Sequence, residues 1–551
     1  MSVEGGVAST AGAAASVPVG RRDKYAADGG RFHAMAPILA LIVLAGLILF
    51  HTLGGYSDPD QSGHAWGTDD AYIAYRYAQN LADGEGLVFN PGERVEGYSN
   101  LLYVLILAAT AGTLGEDVMY PVSALLNLLL ACLAFVGFYG LCRRRLTPSG
   151  VTAATWLLAL VPAVWAWSSS GLETMLVLAV SLAVWLEADA LMKEKGRWHL
   201  VLLCGAIVLS VLSRADGFLV PVFLTVWLLI RRQWRLAAWS GGILLLSQGL
   251  LTAWRLVYYG WPLPNTYYAK VSGPLAERMV EAAVQLADLS VYQRLALPLG
   301  VLLLLGGRAL LRAVRREASL AGHLGFETVW AGGLLLYWFY VGGDVFLERF
   351  LVPLFPMAIL AGVEWVERFP VRSLVSLAAS LAALVQLSMI STDRRFDYMP
   401  ASRKYDRWIK LGNFLGERYP GLSVATDAAG KIPFHSGLKT IDMLGLADEY
   451  LAHREVSYFS VGHNKYDADY VLGRRPDIIT SWILPNRDLL WGLTKEKYVA
   501  AGYHLAFLVN VKSSPKIWVL NLRGMDGESV VRLMDHGFQY AVLMRNGWDL
   551  E

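Results

Sequence analysis

Apolar runs of spanning or near-spanning length recur along residues 35–391, and they constrain the fold more than any other feature of the sequence. They lie near residues 35–53, 101–114, 120–142, 151–167, 174–192, 199–213, 217–230, 236–258, 290–307, 327–342, 350–366 and 371–391. With 55% hydrophobic residues, the 551-residue chain has more apolar surface than one water-soluble core could bury. The pattern predicts a polytopic α-helical membrane protein.

The amino-terminal segment, residues 1–34, is rich in alanine, glycine and serine and carries Arg21, Arg22, Lys24 and Arg31. This composition predicts a disordered cytoplasmic segment before the first helix. A cleaved signal peptide is the alternative, but the first apolar run is long for one and lacks an obvious small-x-small cleavage site. We therefore expect a retained helix.

Basic clusters between the apolar runs predict the orientation of the chain. If every run crossed the membrane, the triplet Arg143–Arg145 would lie outside, although arginine and lysine favour the cytoplasmic side. If run 101–114 instead dips into the membrane from the outer side without crossing, every basic cluster falls inside. This arrangement predicts about eleven transmembrane helices in residues 35–391, a first outer loop at 55–119 with juxtamembrane helices, and an outer polar domain at 392–551.

The polar domain alternates strand-like runs, LSVATDA, PDIITSWIL and YHLAFLVNV, with helical stretches, so we expect a small extracytoplasmic α/β domain. The charge and the absent motifs argue against two classes of function. The net charge of +2 and the short basic clusters do not indicate a nucleic-acid partner. The sequence contains no phosphate-binding loop, dinucleotide glycine fingerprint, HExxH or paired-cysteine motif, so a cytosolic nucleotide donor is not expected.

Polar residues that interrupt the apolar runs collect at the predicted outer ends of the helices. They are Asp69, Asp70, Glu173, Arg214, Asp216, Asn265, Lys270, Asp344, Glu348 and Arg349. Ionisable residues near a membrane are costly unless they serve a pathway, a partner or a site. A transporter more often carries them at mid-span on broken helices, whereas here the span centres are almost free of charge. The pattern favours an outward-facing site for a substrate with a polar head and a lipid tail.

Two adjacent carboxylates, Asp69 and Asp70, begin a predicted amphipathic helix at 69–83, which should lie along the membrane surface. Helix capping explains one of them. Adjacent carboxylates raise each other's proton affinity, so we favour a general base over capping alone. Lys270 and Arg349 could bind a phosphate, with snorkelling to the headgroups as the alternative for each. For Arg214 and its neighbour Asp216, a structural salt bridge is slightly favoured.

Five motifs in order across residues 35–450 carry a family resemblance. They are DDAYIAYRYAQNLADGEGLVFNPGERVEGYSN, SGLETM, PNTYYAK, GGDVFLERFLVPLFP and GKIPFHSGLKTIDMLGLAD. This set resembles the polyprenyl-phosphate-dependent GT-C glycosyltransferases, most closely the AftB-like arabinofuranosyltransferases. The resemblance implies transfer of a sugar, D-arabinofuranose in that branch, from a polyprenyl-phosphate donor lipid. The acceptor would be a hydroxyl of a cell-envelope glycan or glycoprotein at the outer face of the bacterial plasma membrane.

The resemblance also implies roles for individual residues. Asp69 would carry the essential carboxylate with Asp70 assisting, while Lys270 and Arg349 would stabilise the departing phosphate. The expected substrate-binding residues are Arg76, Glu96, Tyr98, Asn100, Glu173, Asn265, Tyr268 and Asp344. The resemblance leaves metal dependence open: the two basic residues could neutralise the phosphate alone, and a divalent cation is the other possibility. Direct and double displacement both stay open.

Alternatives remain for the domain and for the whole protein. The polar domain either helps to hold the acceptor or forms a structural cap over the membrane site. A transporter or flippase of a lipid-linked glycan would also need an amphipathic groove. A non-catalytic glycan-binding membrane protein is a third interpretation, under which loss of Asp69 would leave function intact.

Overall fold

A computed structural model of the chain describes residues 30–54, 67–115, 118–194, 196–314, 324–369, 372–391, 406–511 and 518–547. The predicted disordered segment 1–34 therefore lies outside the described residues, except for its last five positions. Those positions belong to the first helix, which begins at Gly30. Residues 55–66 of the predicted first outer loop and residues 392–405 before the polar domain also lie outside the described part.

The membrane part consists of sixteen described helices. They are α1 Gly30–Gly54, α2 Asp69–Ala82, α3 Leu101–Leu114, α4 Met119–Arg145, α5 Pro148–Ala159, α6 Pro162–Ser168, α7 Thr174–Glu194, α8 Arg197–Ser213, α9 Leu219–Ile230, α10 Trp234–Tyr258, α11 Asn265–Lys270, α12 Leu275–Tyr292, α13 Ala296–Val314, α14 Phe326–Val341, α15 Leu354–Val366 and α16 Arg372–Leu387. Short 3-10 turns, Arg349–Leu351 and Ser388–Ser391, precede α15 and follow α16.

Length and composition identify the spans. Among the described residues, five helices are long and apolar enough to cross a membrane, and up to seven spans result if each of two bent helix pairs counts as one. The bent pairs are α5 with α6, at 49°, and α12 with α13, at 112°. Many large apolar side chains face outward, among them Leu133, Leu245 and Leu304, as lipid contact requires. The chain is a multi-pass membrane protein.

The predicted number of eleven crossings stays a prediction, because several apolar helices are short. Run 101–114 forms α3, whose fourteen residues reach about 21 Å, less than the roughly 30 Å hydrocarbon thickness. Its length agrees with the predicted non-crossing segment. The predicted span 290–307 is interrupted by the sharp bend between α12 and α13.

The polar domain is built on a mixed sheet. Its elements are α17 Arg407–Arg418, β1 Ser423–Thr426, α18 Lys431–Ser436, β2 Lys439–Asp442, α19 Glu449–His453, α20 Ala468–Gly473, β3 Ile478–Trp482, α21 Lys495–Ala500, β4 Tyr503–Asn510, β5 Val519–Asn521, α22 Gly527–Asp535 and β6 Phe538–Arg545. The strand order is β2-β1-β3-β6-β4-β5, with β1 parallel to β2 and β3 and the other pairs antiparallel. The three strand-like runs are confirmed as β1, β3 and β4, and the α/β class is confirmed with them.

Helix α2 joins the membrane part to the polar domain. It packs on α3 from one side and on α18 from the other. All residues from Ala71 to Ala78 are buried within the protein, so neither side of α2 is open to water. Its position along the membrane surface stays a prediction. The side of the helix that carries Tyr72 contacts Phe434 of the polar domain, with ring centroids 5.4 Å apart, rather than water.

Candidate functional site

A pocket, here called the candidate pocket, lies where α2, α11, the ends of α8 and α14, and a loop of the polar domain meet. Its volume is about 140 Å³. Seven charged side chains line it: Asp70, Glu173, Arg214, Asp216, Lys270, Asp344 and Arg349. Asp70 and Lys270 are partly exposed, whereas the other five residues are buried. All seven come from the polar interruptions of the apolar runs, so the predicted convergence of these segments is present in the fold.

The two partly exposed charges face each other across the candidate pocket. Lys270 is the last residue of α11, and its Nζ lies 3.5 Å from Oδ2 of Asp70. Asp70 is fixed by the start of α2, where the backbone N–H of Thr68 donates to the carbonyl of Ser170 at 2.8 Å. Because both side chains remain accessible, a polar substrate group can reach this carboxylate and this ammonium.

The neighbouring carboxylate has a different environment. Oδ2 and Oδ1 of Asp69 accept the backbone N–H groups of Gly430 and Lys431, at 2.9 and 2.8 Å, at the start of α18. Burial raises the pKa of Asp69 to about 6, and the charge of Asp70 adds to the rise, while the two amides oppose it. Gly430 has to be glycine, because a Cβ there would lie 1.8 Å from the carbonyl oxygen of Asp69. Asp69 therefore attaches the polar domain to α2.

Arg349 sits in the 3-10 turn before α15 and is held by Asp344. Its Nε donates to Oδ2 of Asp344 at 3.0 Å and its Nη2 to Oδ1 at 3.4 Å, while the guanidinium lies 4.7 Å from the centre of the Phe346 ring. Two glycines after α14 place Asp344, with φ of 91° at Gly342 and 93° at Gly343. A Cβ at Gly343 would lie 2.1 Å from a side-chain oxygen of Gln285, so the turn requires glycine.

Arg214 contributes a second buried cation. Its Nη2 donates to Oδ2 of Asp216 at 2.8 Å, so the predicted salt bridge is present, and both side chains also line the candidate pocket. Nη1 of Arg214 lies 4.0 Å from Oε1 of Glu173. The other oxygen of Glu173 accepts from the side-chain amide of Asn100 at 2.9 Å. Tyr98 completes the same wall, so three of the predicted substrate-binding residues are adjacent here.

Five predicted site residues do not line the candidate pocket: Asp69, Arg76, Glu96, Asn265 and Tyr268. Arg76 is buried, and its guanidinium donates to the carbonyls of Phe89, Pro433 and Leu438 at 2.7, 2.6 and 2.8 Å. These acceptors come from the first loop and from both ends of the segment 433–438. Arg76 therefore joins α2 to the polar domain instead of facing a substrate.

The remaining three residues also have partners inside the protein. Glu96 forms a buried ion pair with Arg255, whose Nε lies 2.9 Å from Oε2. The side-chain amide of Asn265 donates to the carbonyls of Gly445 and Leu446, at 2.9 and 3.0 Å, and so holds α11 against the polar domain. The ring of Tyr268 packs against His453, with centroids 4.2 Å apart.

The polar domain supplies pocket residues that the sequence did not reveal. Phe459, Val461 and Gly462, from the loop between α19 and α20, cover one side of the candidate pocket. The backbone N–H of Phe459 donates to Glu277 at 2.9 Å, which anchors the loop to α12. This contact joins residues far apart in the chain, and nothing in the local sequence marks it. Tyr267, next to the predicted Tyr268, is a further wall residue.

The described part of the chain contains no group of three or more histidine, cysteine or acidic side chains arranged to hold a metal ion. Each carboxylate of the candidate pocket instead has an arginine or lysine nitrogen within 4.0 Å. The basic side chains therefore already neutralise these carboxylates.

Similarity to solved structures identifies the fold. ArnT from Cupriavidus metallidurans, in the apo state, has a TM-score of 0.52 at 13% identity, covering 93% of this chain and 98% of its own. AglB, the archaeal oligosaccharyltransferase from Archaeoglobus fulgidus, in complex with an inhibitory peptide and a dolichol-phosphate, has a TM-score of 0.51 at 12% identity, covering 82% and 69%. The chain has a GT-C fold. The fold that the resemblance implied is thus confirmed.

Sequence comparison adds a more specific relative. The terminal beta-(1->2)-arabinofuranosyltransferase of Mycobacterium tuberculosis is 28% identical over 336 residues, which cover 54% of this GT-C chain and 52% of that protein. The chain thus spans about half the length of this curated relative. The profile of a family described as a domain of unknown function, DUF8728, matches residues 396–542, which form most of the polar domain.

Proposed function

We propose that this protein transfers a sugar, D-arabinofuranose, from a polyprenyl-phosphate donor to a hydroxyl of a cell-envelope glycan or glycoprotein. The observation that carries the proposal is the exposed pair Asp70 and Lys270 within a pocket of buried ion pairs. The proposed sugar is the one in the name of the mycobacterial relative. A lipid-linked donor is supported by the dolichol-phosphate bound to AglB. The proposed location is the outer face of the bacterial plasma membrane.

The proposed chemistry needs a base for the acceptor hydroxyl and cations beside the leaving phosphate. The base accepts the proton of the acceptor hydroxyl, and the acceptor oxygen forms a bond to the anomeric carbon. The bond from the anomeric carbon to the phosphate oxygen breaks, and its electron pair stays on the polyprenyl phosphate. The developing negative charge has to be stabilised by fixed cations. A two-step route would add a first attack of an enzyme carboxylate on the anomeric carbon, before the acceptor oxygen replaces that carboxylate.

We assign the base to Asp70 and a positioning role to Asp69, which reverses the order of importance that the resemblance implied. Asp70 is partly exposed and lines the candidate pocket, whereas both oxygens of Asp69 accept amides of α18. Through these amides Asp69 fixes the start of α2 and thereby the direction of Asp70. Successive residues of a helix point about 100° apart, so the two carboxylates cannot face the same substrate atom equally.

Lys270 is the proposed main partner of the leaving phosphate. Its ammonium is compact and partly exposed, so it can shift from Asp70 to a phosphate oxygen as the base takes up a proton. Arg349 is buried, and two of its nitrogens donate hydrogen bonds to Asp344. It would therefore stabilise the negative charge of the leaving phosphate from a fixed position. The neighbouring wall of Tyr98, Asn100 and Glu173 is the proposed contact surface for the sugar.

The loop of the polar domain that covers the candidate pocket suggests where the acceptor enters. Phe459 and Val461 present apolar side chains there, and Gly462 approaches Val345 of the membrane part closely. We propose that the acceptor hydroxyl reaches Asp70 between this loop and α2. A cap that only excludes water from the reaction would use the same contacts.

The test is a transfer assay with purified protein, a synthetic polyprenyl-phosphoryl-D-arabinofuranose and a hydroxyl-bearing arabinan oligosaccharide. Release of polyprenyl phosphate together with an acceptor longer by one pentose is the expected result. The matched donor carries D-ribofuranose, which differs at one carbon. Transfer of another sugar alone would overturn the sugar assignment. Movement of a fluorescent donor across proteoliposomes with no product would overturn the transferase and favour a flippase.

A further inference from the structure

A second charged pocket, here called the basic pocket, lies at the opposite end of the membrane helices. It has a volume of about 620 Å³ and is lined by the ends of α4, α7, α9, α13 and α15 and by the start of α14. The two pockets lie at opposite ends of α14, whose sixteen residues span about 24 Å. The basic pocket is therefore separate from the candidate pocket.

The charges in the basic pocket do not balance. Its described lining contains seven arginine and lysine side chains but only three carboxylates. One cation, Arg145, lies 2.9 Å from Asp189, 3.5 Å from Glu327 and 4.0 Å from Glu364, so it contacts all three carboxylates by itself. Lys193 and Arg368 share two of these carboxylates, Asp189 at 3.0 Å and Glu364 at 3.9 Å, so the described lining keeps more cations than carboxylates. Arg308 and Arg312 form no ion pair with any described carboxylate.

The basic pocket opens into an apolar groove between α5, α13, α15 and α16. This groove has a volume of about 480 Å³, and it shares Leu305, Arg308 and Trp365 with the basic pocket. The rest of its described lining is apolar except for Gln386. The positively charged pocket is thus continuous with an apolar groove that follows α13 from Arg308 back to Leu297.

We propose that the basic pocket and the apolar groove together bind one anionic phospholipid. The phosphate sits beside Arg308 and Arg312, because guanidinium groups bind phosphate oxygens through paired N–H donors. An acyl chain fills the apolar groove beside α13. Basic pockets between transmembrane helices attract anionic headgroups, with each basic residue adding to the attraction. A basic cluster that served only to orient the chain in the membrane would need neither a pocket nor the adjoining groove.

The experiment measures lipid retention by native mass spectrometry on the full-length protein in detergent. Phosphatidylglycerol and phosphatidylcholine with identical acyl chains are added at equal concentration. We expect phosphatidylglycerol to be retained about tenfold more. The variant Arg308→Gln/Arg312→Gln should remove this preference, whereas Arg232→Gln/Arg235→Gln, which removes two exposed arginines outside the basic pocket, should keep it.

A second pair of variants tests the groove. Ala382→Phe places a large side chain in the apolar groove, and Ser380→Phe places one on the exposed side of the same helix. Only the first should lower phosphatidylglycerol retention, by about fivefold or more. Equal retention of the two lipids by the wild-type protein would overturn the proposal. Loss of bound phosphatidylglycerol on addition of inorganic phosphate alone, with no effect of Ala382→Phe, would assign the basic pocket to free phosphate instead.

Discussion

The two charged pockets at the ends of α14 differ in how their charges are arranged. In the candidate pocket every carboxylate has a basic partner within 4.0 Å, and only Asp70 and Lys270 are partly exposed. In the basic pocket seven cations face three carboxylates. The four carboxylates and three cations described in the candidate pocket can take up and release charge during a reaction, whereas the positive excess of the basic pocket favours a permanently anionic ligand. The comparison separates a place for chemistry from a place for binding.

Removal of the Asp70 carboxylate should lower activity more than any other change proposed here. Asp70→Asn keeps the shape of the side chain but cannot accept the hydroxyl proton. We expect kcat for sugar transfer to fall about a thousandfold while the thermal midpoint changes little. Asp83→Asn, on the exposed end of the same helix, is the matched control and should retain activity. Comparable turnover by the two variants would remove Asp70 from the mechanism.

Acidification should give the next largest effect. Because the pKa of Asp69 is raised to about 6, the carboxylate pair carries its full charge only above that pH. We expect kcat/KM to fall about tenfold for each pH unit below 6. The Asp69→Asn variant should lack this step. If kcat/KM of the wild-type enzyme did not change between about one pH unit below and one above 6, the proposed ionisation of Asp69 would be contradicted.

The raised pKa of Asp69 should affect stability in the opposite direction to activity. Folded Asp69 holds its proton up to about pH 6, whereas the unfolded group loses it near its ordinary value of 3.8. The folded state therefore binds more protons between these values, and the contribution of Asp69 to the free energy of unfolding falls as the pH rises from about 4 to 6. The difference in free energy of unfolding between the wild-type protein and the Asp69→Asn variant, measured by thermal unfolding across this pH range, gives this contribution.

A smaller effect is expected from Arg349→Lys. Lysine keeps the charge but loses the two-pronged contact with Asp344, so the cation is no longer fixed in place. We expect kcat/KM to fall about tenfold. Arg94→Lys is the matched control, because Arg94 is exposed and lies outside the candidate pocket. Equal loss in both variants would show that Arg349 acts on stability alone.

Changes in the basic pocket should affect sugar transfer least. Arg308→Gln/Arg312→Gln removes two cations of the basic pocket, about 24 Å from the candidate pocket along α14. We expect kcat with a short-chain, water-soluble donor to stay within about twofold of wild type, because fixed charges at this distance are largely screened. A large loss of turnover in detergent would couple the two pockets.

The sequence predicted the local features of this protein better than its long-range contacts. Helix α2 was predicted at 69–83 and found at Asp69–Ala82, because apolar spacing and a glycine stop are local signals. Strands β2, β5 and β6 were not predicted. Two of them have three or four residues, too few for a clear alternation pattern, and β6 was hidden in a run of mixed polarity.

At the candidate pocket, residue type was predictive but partners were not. Charged residues at helix ends identified Asp70, Lys270 and Arg349 correctly as neighbours. Arg76 and Glu96 are charged as well, yet they bind Pro433 and Arg255, which lie 357 and 159 positions away. No sequence pattern near residue 76 or 96 shows whether the side chain is available to a ligand or is already bound by partners inside the protein. The angle between successive helical residues was the available signal that Asp69 and Asp70 would face different partners.

The contact of Asp69 with α18 connects two segments that are 361 residues apart. A truncated protein that ends before residue 406 would leave the beginning of α2 without its amide partners and Arg76 without two of its three carbonyl acceptors. Neither half is then an independent building block: a chimaera with a foreign outer domain would have to reproduce the Gly430–Lys431 junction before its membrane half could work.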